Sequence, residues 1–238
     1  MTWSILARDR DGNFGVAIAS RFFAVGSLCI HTKPGVGALS TQALMNPLYG
    51  PDGMGQLAGG AAAADVVARL THADAGREQR QLHVLPAKGP GAAHTGNACV
   101  DWCGHAIYED FTVAGNMLAG PRVLAATAEA FIASAGQTLA QRLISAMEAG
   151  EAAGGDKRGK QSAALRIQGQ QEYLALDLRV DDHEDPLTEL KRLHNKSLER
   201  FQPFIACLAT RERPAGELER SRIEAHIDNF HAALRARA

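Results

Sequence analysis

At 238 residues with a formal net charge of −1, the chain can form one large domain or two small ones and has no bias toward polyanionic partners. Apolar residues make up 46%, yet no apolar run is long enough to span a bilayer, and no charged-then-apolar leader with a cleavage site opens the chain. Nucleic acid and membrane are therefore not expected as partners, and four scattered cysteines (Cys29, Cys99, Cys103, Cys207) point to a reducing cytoplasm, not to a disulfide framework.

Met1 to Arg8 and Phe14 to Arg21 read as a β-hairpin, because alternation sets Trp3, Ile5 and Ala7 on one face and Thr2, Ser4 and Leu6 on the other. Asp11-Gly12-Asn13 between them supplies residues that tolerate positive φ. Ser27–Thr32 and Gly35–Gln42 read as two further strands broken at Pro34. Prolines and glycines punctuate Asn46 to Gly53, which is expected to be a loop and a candidate site loop. Ala61–Leu70 has a helical pattern, and Gln81–Ala87 with Gly91–Thr95 forms a second hairpin across Lys88-Gly89-Pro90.

Two helices are expected after Gly120-Pro121, over Pro121–Ala135 and Thr138–Glu148, with Gly150 as a C-terminal cap. Gln161–Gln168 and Glu172–Leu178 suit a closing strand pair. Asp185 before Pro186 caps a helix carrying Leu187, Leu190, Leu193 and Phe201, interrupted at Pro203. A last helix is expected from near Pro214, with Ile223, Ile227, Phe230 and Leu234 on one stripe. Strands in groups and helices in pairs argue for α+β layers with two antiparallel sheets. The expected division is a domain over 1–185 and a helical extension over 186–238, suited to packing or dimerisation.

Four constellations are weighed for chemistry. Removing Met1 would leave Thr2 with a hydroxyl and a free α-amine, whose pKa of roughly 7.7–8.0 suits a base near neutral pH. Gly154 to Gly159 is a glycine-bracketed turn whose backbone amides and two adjacent cations, Lys157 and Arg158, could hold an anion. Cys99 to His105 offers sulfur and imidazole, but no second pair of metal ligands exists. Asp181 to Asp185 is acidic but lacks calcium-loop spacing, so it reads as a solvated cap.

Several stretches together resemble a family catalogued as domain of unknown function 1028, with a fold similar to that of N-terminal-nucleophile (Ntn) hydrolases. They are Thr2 to Asp9, Ala19-Ser20-Arg21, Thr41-Gln42-Ala43, Asn46-Pro47 with Tyr49-Gly50, Gly115-Asn116 with Leu118 to Pro121, Gly154 to Ser162, and Asp177 to His183. The resemblance runs to about Pro186 and implies a four-layer αββα sandwich. The first hairpin is also similar to that of proteasome-type threonine hydrolases. That similarity matches Thr2 to the nucleophile and Ser20-Arg21 to the end of an Asp-Ser-Arg motif, whose Asp position holds Ala19. Lys33 is the candidate for a supporting lysine, although its spacing from Arg21 departs from the pattern.

The resemblance implies hydrolysis of a small, amide-like substrate, with Thr2, Ser20, Arg21, Lys33 and Asn116 as catalytic candidates. Asn46, Tyr49, Asp156, Lys157 and Arg158 are the substrate-binding candidates, the last two for a substrate carboxylate. No metal or organic cofactor is expected, and a homo-oligomer such as a dimer is. The alternatives are a non-catalytic scaffold binding an anionic metabolite or a protein partner, and a hydrolase using Cys103 and His105.

Overall fold

The computed structural model describes residues 2–237. Contacts divide the chain into two compact units, one ending at Leu190 and one beginning at Lys191.

In the first unit, β1 (Thr2–Arg8) and β2 (Phe14–Ser20) form the expected hairpin, with Thr2 opposite Ser20 and Arg8 opposite Phe14. Asp9 closes the turn: its Oδ1 accepts the Asp11 and Asn13 amides at 3.0 and 2.9 Å, and Gly12 takes φ +78°. Next come β3 (Ile30–Lys33), β4 (Gly37–Ala43), α1 (Tyr49–Ala58) and α2 (Ala63–His72). The chain continues through β5 (Arg80–Pro86), β6 (Ala92–Thr95), β7 (Gly104–Ile107), β8 (Phe111–Asn116), α3 (Arg122–Ala133) and α4 (Leu139–Ala152). It closes with β9 (Ser162–Gln168), β10 (Leu176–Val180) and α5, which begins at Pro186.

Among the described residues the strands make a six-stranded sheet ordered β10-β9-β2-β1-β8-β7 and a four-stranded sheet ordered β3-β4-β5-β6. All their pairings are antiparallel. The sheets stack on one another through β1, β4, β5 and β8; α3 and α4 cover the outer face of the larger sheet, α1 and α2 that of the smaller. This is the expected four-layer αββα order. Strand alternation assigns each layer: Leu39, Leu82 and Val84 pack under α1 and α2 with Val66 and Leu70. Leu6, Phe14, Val16 and Ile18 fill the inter-sheet layer with Ala38 and Leu85.

Three expectations need correction. The stretch from Asn46 is a loop only to Leu48; from Tyr49 it is helical, through Pro51, Gly53 and Gly55. Pro51 lies in the first turn, where its missing N–H has no intrahelical acceptor to lose. Gly53 gives the helix its closeness to the sheet, since a Cβ there would stand 2.6 Å from Leu39 Cδ1. Gly150 does not cap α4 but lies within it, where a side chain would meet Thr127 Oγ1 and, at 2.9 Å, Trp3 Nε1. The strands β7 and β8 were not anticipated.

The second unit holds the end of α5 (Pro186–Glu199), the short α6 (Phe201–Ile205) and α7 (Arg220–Arg237). The expected interruption near Pro203 is present: α5 ends at Glu199 and the chain restarts as α6 at Phe201, with Pro203 in the first turn of the new helix. The last helix starts at Arg220, six residues beyond Pro214, because Gly216 turns the preceding chain at φ +65°. Within the unit, Arg200 pairs with Glu224 and His231 Nε2 lies 3.2 Å from the Leu198 carbonyl. Among the described residues no helix is long and apolar enough to cross a membrane.

Candidate functional site

Thr2 opens β1 in the centre of the larger sheet. Register places Asn116, Thr2, Ser20 and Ser162 side by side across β8, β1, β2 and β9, a polar row at one end of four adjacent strands. The Thr2 hydroxyl donates to Ser20 Oγ at 3.1 Å, and Thr2 is 5% exposed. Its carbonyl faces two amide donors, Gln42 Nε2 and Asn116 Nδ2, each at 3.4 Å. Met1 lies outside the described residues.

Beneath this row the inter-sheet layer is polar, next to the apolar cluster of Leu6, Ile18, Ala38 and Leu85. Gln42 Nε2 donates to Gln81 Oε1 at 2.7 Å, and Asn116 Nδ2 donates to the same oxygen at 3.0 Å. Ser4 Oγ lies 2.7 Å from Gln42 Oε1 and 2.8 Å from His83 Nε2, whose other ring nitrogen lies 2.8 Å from Thr112 Oγ1. All of these side chains are buried. An unpaired polar group here would cost about 1–3 kcal/mol, so the mutual pairing is a condition of the fold. Burial drives the His83 pKa down to about 3, with a smaller push from the His105 charge, so the ring is neutral at ordinary pH.

The Gly154 to Gly159 turn lies at the same end of the larger sheet. Leu118, two residues beyond Asn116, bridges to Asp156, and the Arg21 amide donates to Asp156 Oδ2 at 3.0 Å. The Asp156 carboxylate is fully buried and also accepts the Arg158 amide at 2.8 Å. Its neighbouring cations are engaged: Lys157 Nζ donates to the Asp101 carbonyl at 2.5 Å, and Arg158 Nη2 donates to the Arg21 carbonyl at 3.3 Å. The turn is built to hold the exit of β2. Ala19 is opposite Trp3, on the face turned away from Thr2 and Ser20, so no side chain there faces the row.

Lys33 is not brought to Thr2. It pairs with Gly37 at the far end of β4, and Gly37 pairs with Pro86, whose carbonyl accepts Arg8 Nη1. Arg8 is the other end of β1, about 20 Å of strand away from Thr2. The mismatch in spacing from Arg21 has this physical meaning: β3 runs from the Thr2 end toward the opposite one.

Asn46 and Tyr49 serve a different centre. Asp74 Oδ2 accepts Tyr49 Oη at 2.8 Å, Arg80 Nε at 3.0 Å and Asn46 Nδ2 at 3.3 Å. The Arg80 guanidinium foremost, with those hydrogen bonds, holds the Asp74 carboxyl well below the usual carboxylate range. Burial first, then Asp74, raises the Tyr49 phenol. This hub lines a groove of about 700 Å³ between α1 and α2.

The thiol alternative finds no pair. Cys103 Sγ points to the Cys99 carbonyl at 3.6 Å, while His105 Nδ1 lies 2.8 Å from Thr95 Oγ1. Burial raises the Cys103 thiol, helped by Asp101, and burial pushes Cys29 up to about 12. In the acidic run Asp181 pairs with Arg179 and Asp185 with Lys160 at 2.8 and 2.9 Å, and Asp182 Oδ1 accepts Gln161 Nε2 at 3.0 Å.

Ser4, Gln42, Gln81 and His83 escaped sequence reasoning. Their signal was readable: Ser40 and Gln42, and Gln81 and His83, are polar residues at alternate positions of strands, which puts each pair on one face. Reading that face as solvated or as buried is a choice that alternation alone does not make.

Residues 2–190 match the family of unknown function DUF1028. The chain belongs to that family. Among solved structures, DUF1028 protein SPO2555 from Silicibacter pomeroyi is 31% identical with a TM-score of 0.84, over 92% of this chain and 96% of that one. Anbu (ancestral beta-subunit) from Yersinia bercovieri is 11% identical with a TM-score of 0.40, over 82% of this chain and 94% of that one, a likeness too distant to carry an argument. No curated protein matches the chain. The DUF1028 match covers the polar row, the layer beneath it and the Asp156 turn.

Proposed function

We propose that this DUF1028 protein is an Ntn-type hydrolase of a small amide-like substrate, with Thr2 as nucleophile after removal of Met1. The observation that carries the reading is the placement of Thr2: first residue of a central strand, hydroxyl on Ser20, carbonyl on two amides, above a buried polar layer. A cluster of interlocked buried polar groups is costly to assemble, and such clusters concentrate at functional sites.

In the chemistry proposed, the α-amine of Thr2 takes the hydroxyl proton while Oγ1 bonds to the substrate carbonyl carbon. Collapse of the tetrahedral adduct breaks the C–N bond, and the ammonium returns the proton to the departing amine. Water then attacks the Thr2 ester carbon, the same amine accepting its proton; the bond from Oγ1 to that carbon breaks, the ammonium returns the proton to Oγ1, and the acid is released. Ser20 orients the hydroxyl. Asp156 fixes the β2 exit through the Arg21 amide and so keeps Ser20 in register, a positioning role from the turn in place of a carboxylate at Ala19. Lys33 has no part in this scheme. Asn116 acts through the Thr2 carbonyl, since its amide is directed there and at Gln81.

A second reading is a non-catalytic scaffold, favoured by the 5% exposure of Thr2 and by the engagement of Lys157 and Arg158. Thr2→Ala and Thr2→Ser separate the two on a panel of acyl anilides. The hydrolase reading expects no turnover from Thr2→Ala and partial turnover from Thr2→Ser, which keeps both hydroxyl and amine. Equal turnover by wild type and Thr2→Ala contradicts it.

A further inference from the structure

The buried layer under Thr2 permits one direction of proton donation, and that direction can be worked out from its fixed ends. Gln81 Nε2 faces two backbone carbonyls, Gly115 O at 2.8 Å and Gly104 O at 3.0 Å, which only accept. The amide group of Gln81 is therefore locked, and its Oε1 must be the atom that meets Gln42 and Asn116. Gln42 must then present Nε2 to Gln81, which is also the atom that meets the Thr2 carbonyl. Its Oε1 is left for Ser4 and Ser40, whose hydroxyls lie at 2.7 and 3.3 Å. A serine has one proton, and Ser4 spends it on Gln42. His83 Nε2, 2.8 Å from the same Ser4 oxygen, must therefore carry a hydrogen and donate it. Nδ1 is then the acceptor, and Thr112 Oγ1 donates to it across 2.8 Å.

We propose that His83, Ser4, Gln42 and Gln81 are a positioning set: a one-way hydrogen-bond chain, with His83 as the Nε2–H tautomer, that ends on the Thr2 carbonyl and holds the first residue of β1. Their role as supports of a nucleophile rests on the hydrolase reading above; the proton arrangement does not. The chain explains why four inward polar residues on three strands of two sheets interlock without a charge. A charged member would need a counter-ion in a layer closed to solvent. It also explains why these residues lie under Thr2 and not under the Arg8 end, where the same layer is Leu6, Ala38 and Leu85.

The test uses the full chain. Nitrogen-15 spectra of the histidine rings at neutral pH should show His83 as the Nε2–H tautomer. An Nδ1–H tautomer or an imidazolium overturns the proposal whatever the variants do. The side-chain variants then ask whether the chain reaches Thr2. His83→Gln keeps a donor near the Nε2 position and should leave the carbon-13 resonance of the Thr2 carbonyl in place. His83→Asn keeps an acceptor for Thr112 but loses the donor to Ser4, and Gln42→Glu turns the donor toward Thr2 into an acceptor. Both should shift that resonance. An unmoved Thr2 carbonyl in folded His83→Asn and Gln42→Glu, or an equal shift in His83→Gln, overturns the positioning role. Loss of the hydrolase reading would show instead as turnover that ignores Thr2→Ala, with these spectra unchanged.

Discussion

A histidine with no exposure to solvent sets how the molecule answers acid. His83 has a pKa of about 3 in the fold and near 6.5 in the unfolded chain. Between these values the unfolded chain binds a proton that the folded one refuses, so stability rises with pH across the window and is lost as pH falls through it. The slope from this residue approaches about 1.4 kcal/mol per pH unit. His31, His105 and His194 are lowered by burial and add in the same direction. Neither of the two groups bonded to the His83 ring, Ser4 and Thr112, titrates there, while His105 adds repulsion. Denaturant titrations between about pH 4 and about pH 6 should therefore show a slope shallower by up to one proton in His83→Gln than in wild type. An unchanged slope would mean that the ring is protonated within the fold. At this scale the resemblance pointed to Thr2, Ser20 and Asn116, and strand register sets the three side by side. Lys33 was misplaced because it was chosen against the family's spacing, and β3 runs away from the Thr2 end.

Among the elements, the β1–β2 hairpin was plain from Asp-Gly-Asn between alternating runs, and α1 was hidden by its own glycines. Its glycines have different physical roles, which a pair of substitutions separates. Alanine is favoured over glycine by about 1 kcal/mol in a helix interior. A Cβ at Gly55 would meet nothing within 4 Å, so Gly55→Ala should stabilise the protein by about 0.5–1 kcal/mol. A Cβ at Gly53 would stand 2.6 Å from Leu39 Cδ1, and the overpacking, about 1–3 kcal/mol, outweighs the propensity gain. Gly53→Ala should therefore lower the urea midpoint while Gly55→Ala raises it. Equal gains at both would show that α1 stands off the sheet. The strands β7 and β8 escaped notice because Gly104 and Gly115 interrupt the alternation. Both glycines have close neighbours, Trp102 at Gly104 and Leu118 with Trp3 at Gly115. Sequence alternation reports faces, and here backbone closeness took precedence over it.

For the whole molecule, two sheets share one inter-sheet layer that is apolar around Leu6, Phe14 and Leu85 and polar around Gln42, Gln81 and His83. The layer order was legible because strands came in groups and helices in pairs. Its polar half was not, since no local pattern says that two inward polar faces from distant strands will meet. Thr2 stands where that polar half reaches the end of the strands, and the hydrolase reading gives the arrangement its purpose: a fixed first residue with a free amine. The amine is the decisive requirement, because an amide nitrogen at Thr2 cannot serve as a base. Intact-mass measurement of natively produced protein, on the same sample whose turnover is followed, tests it directly. The expected result is a mass lower by one methionine residue, with turnover proportional to the fraction lacking Met1. A sample that retains Met1 throughout and still turns over substrate would contradict it.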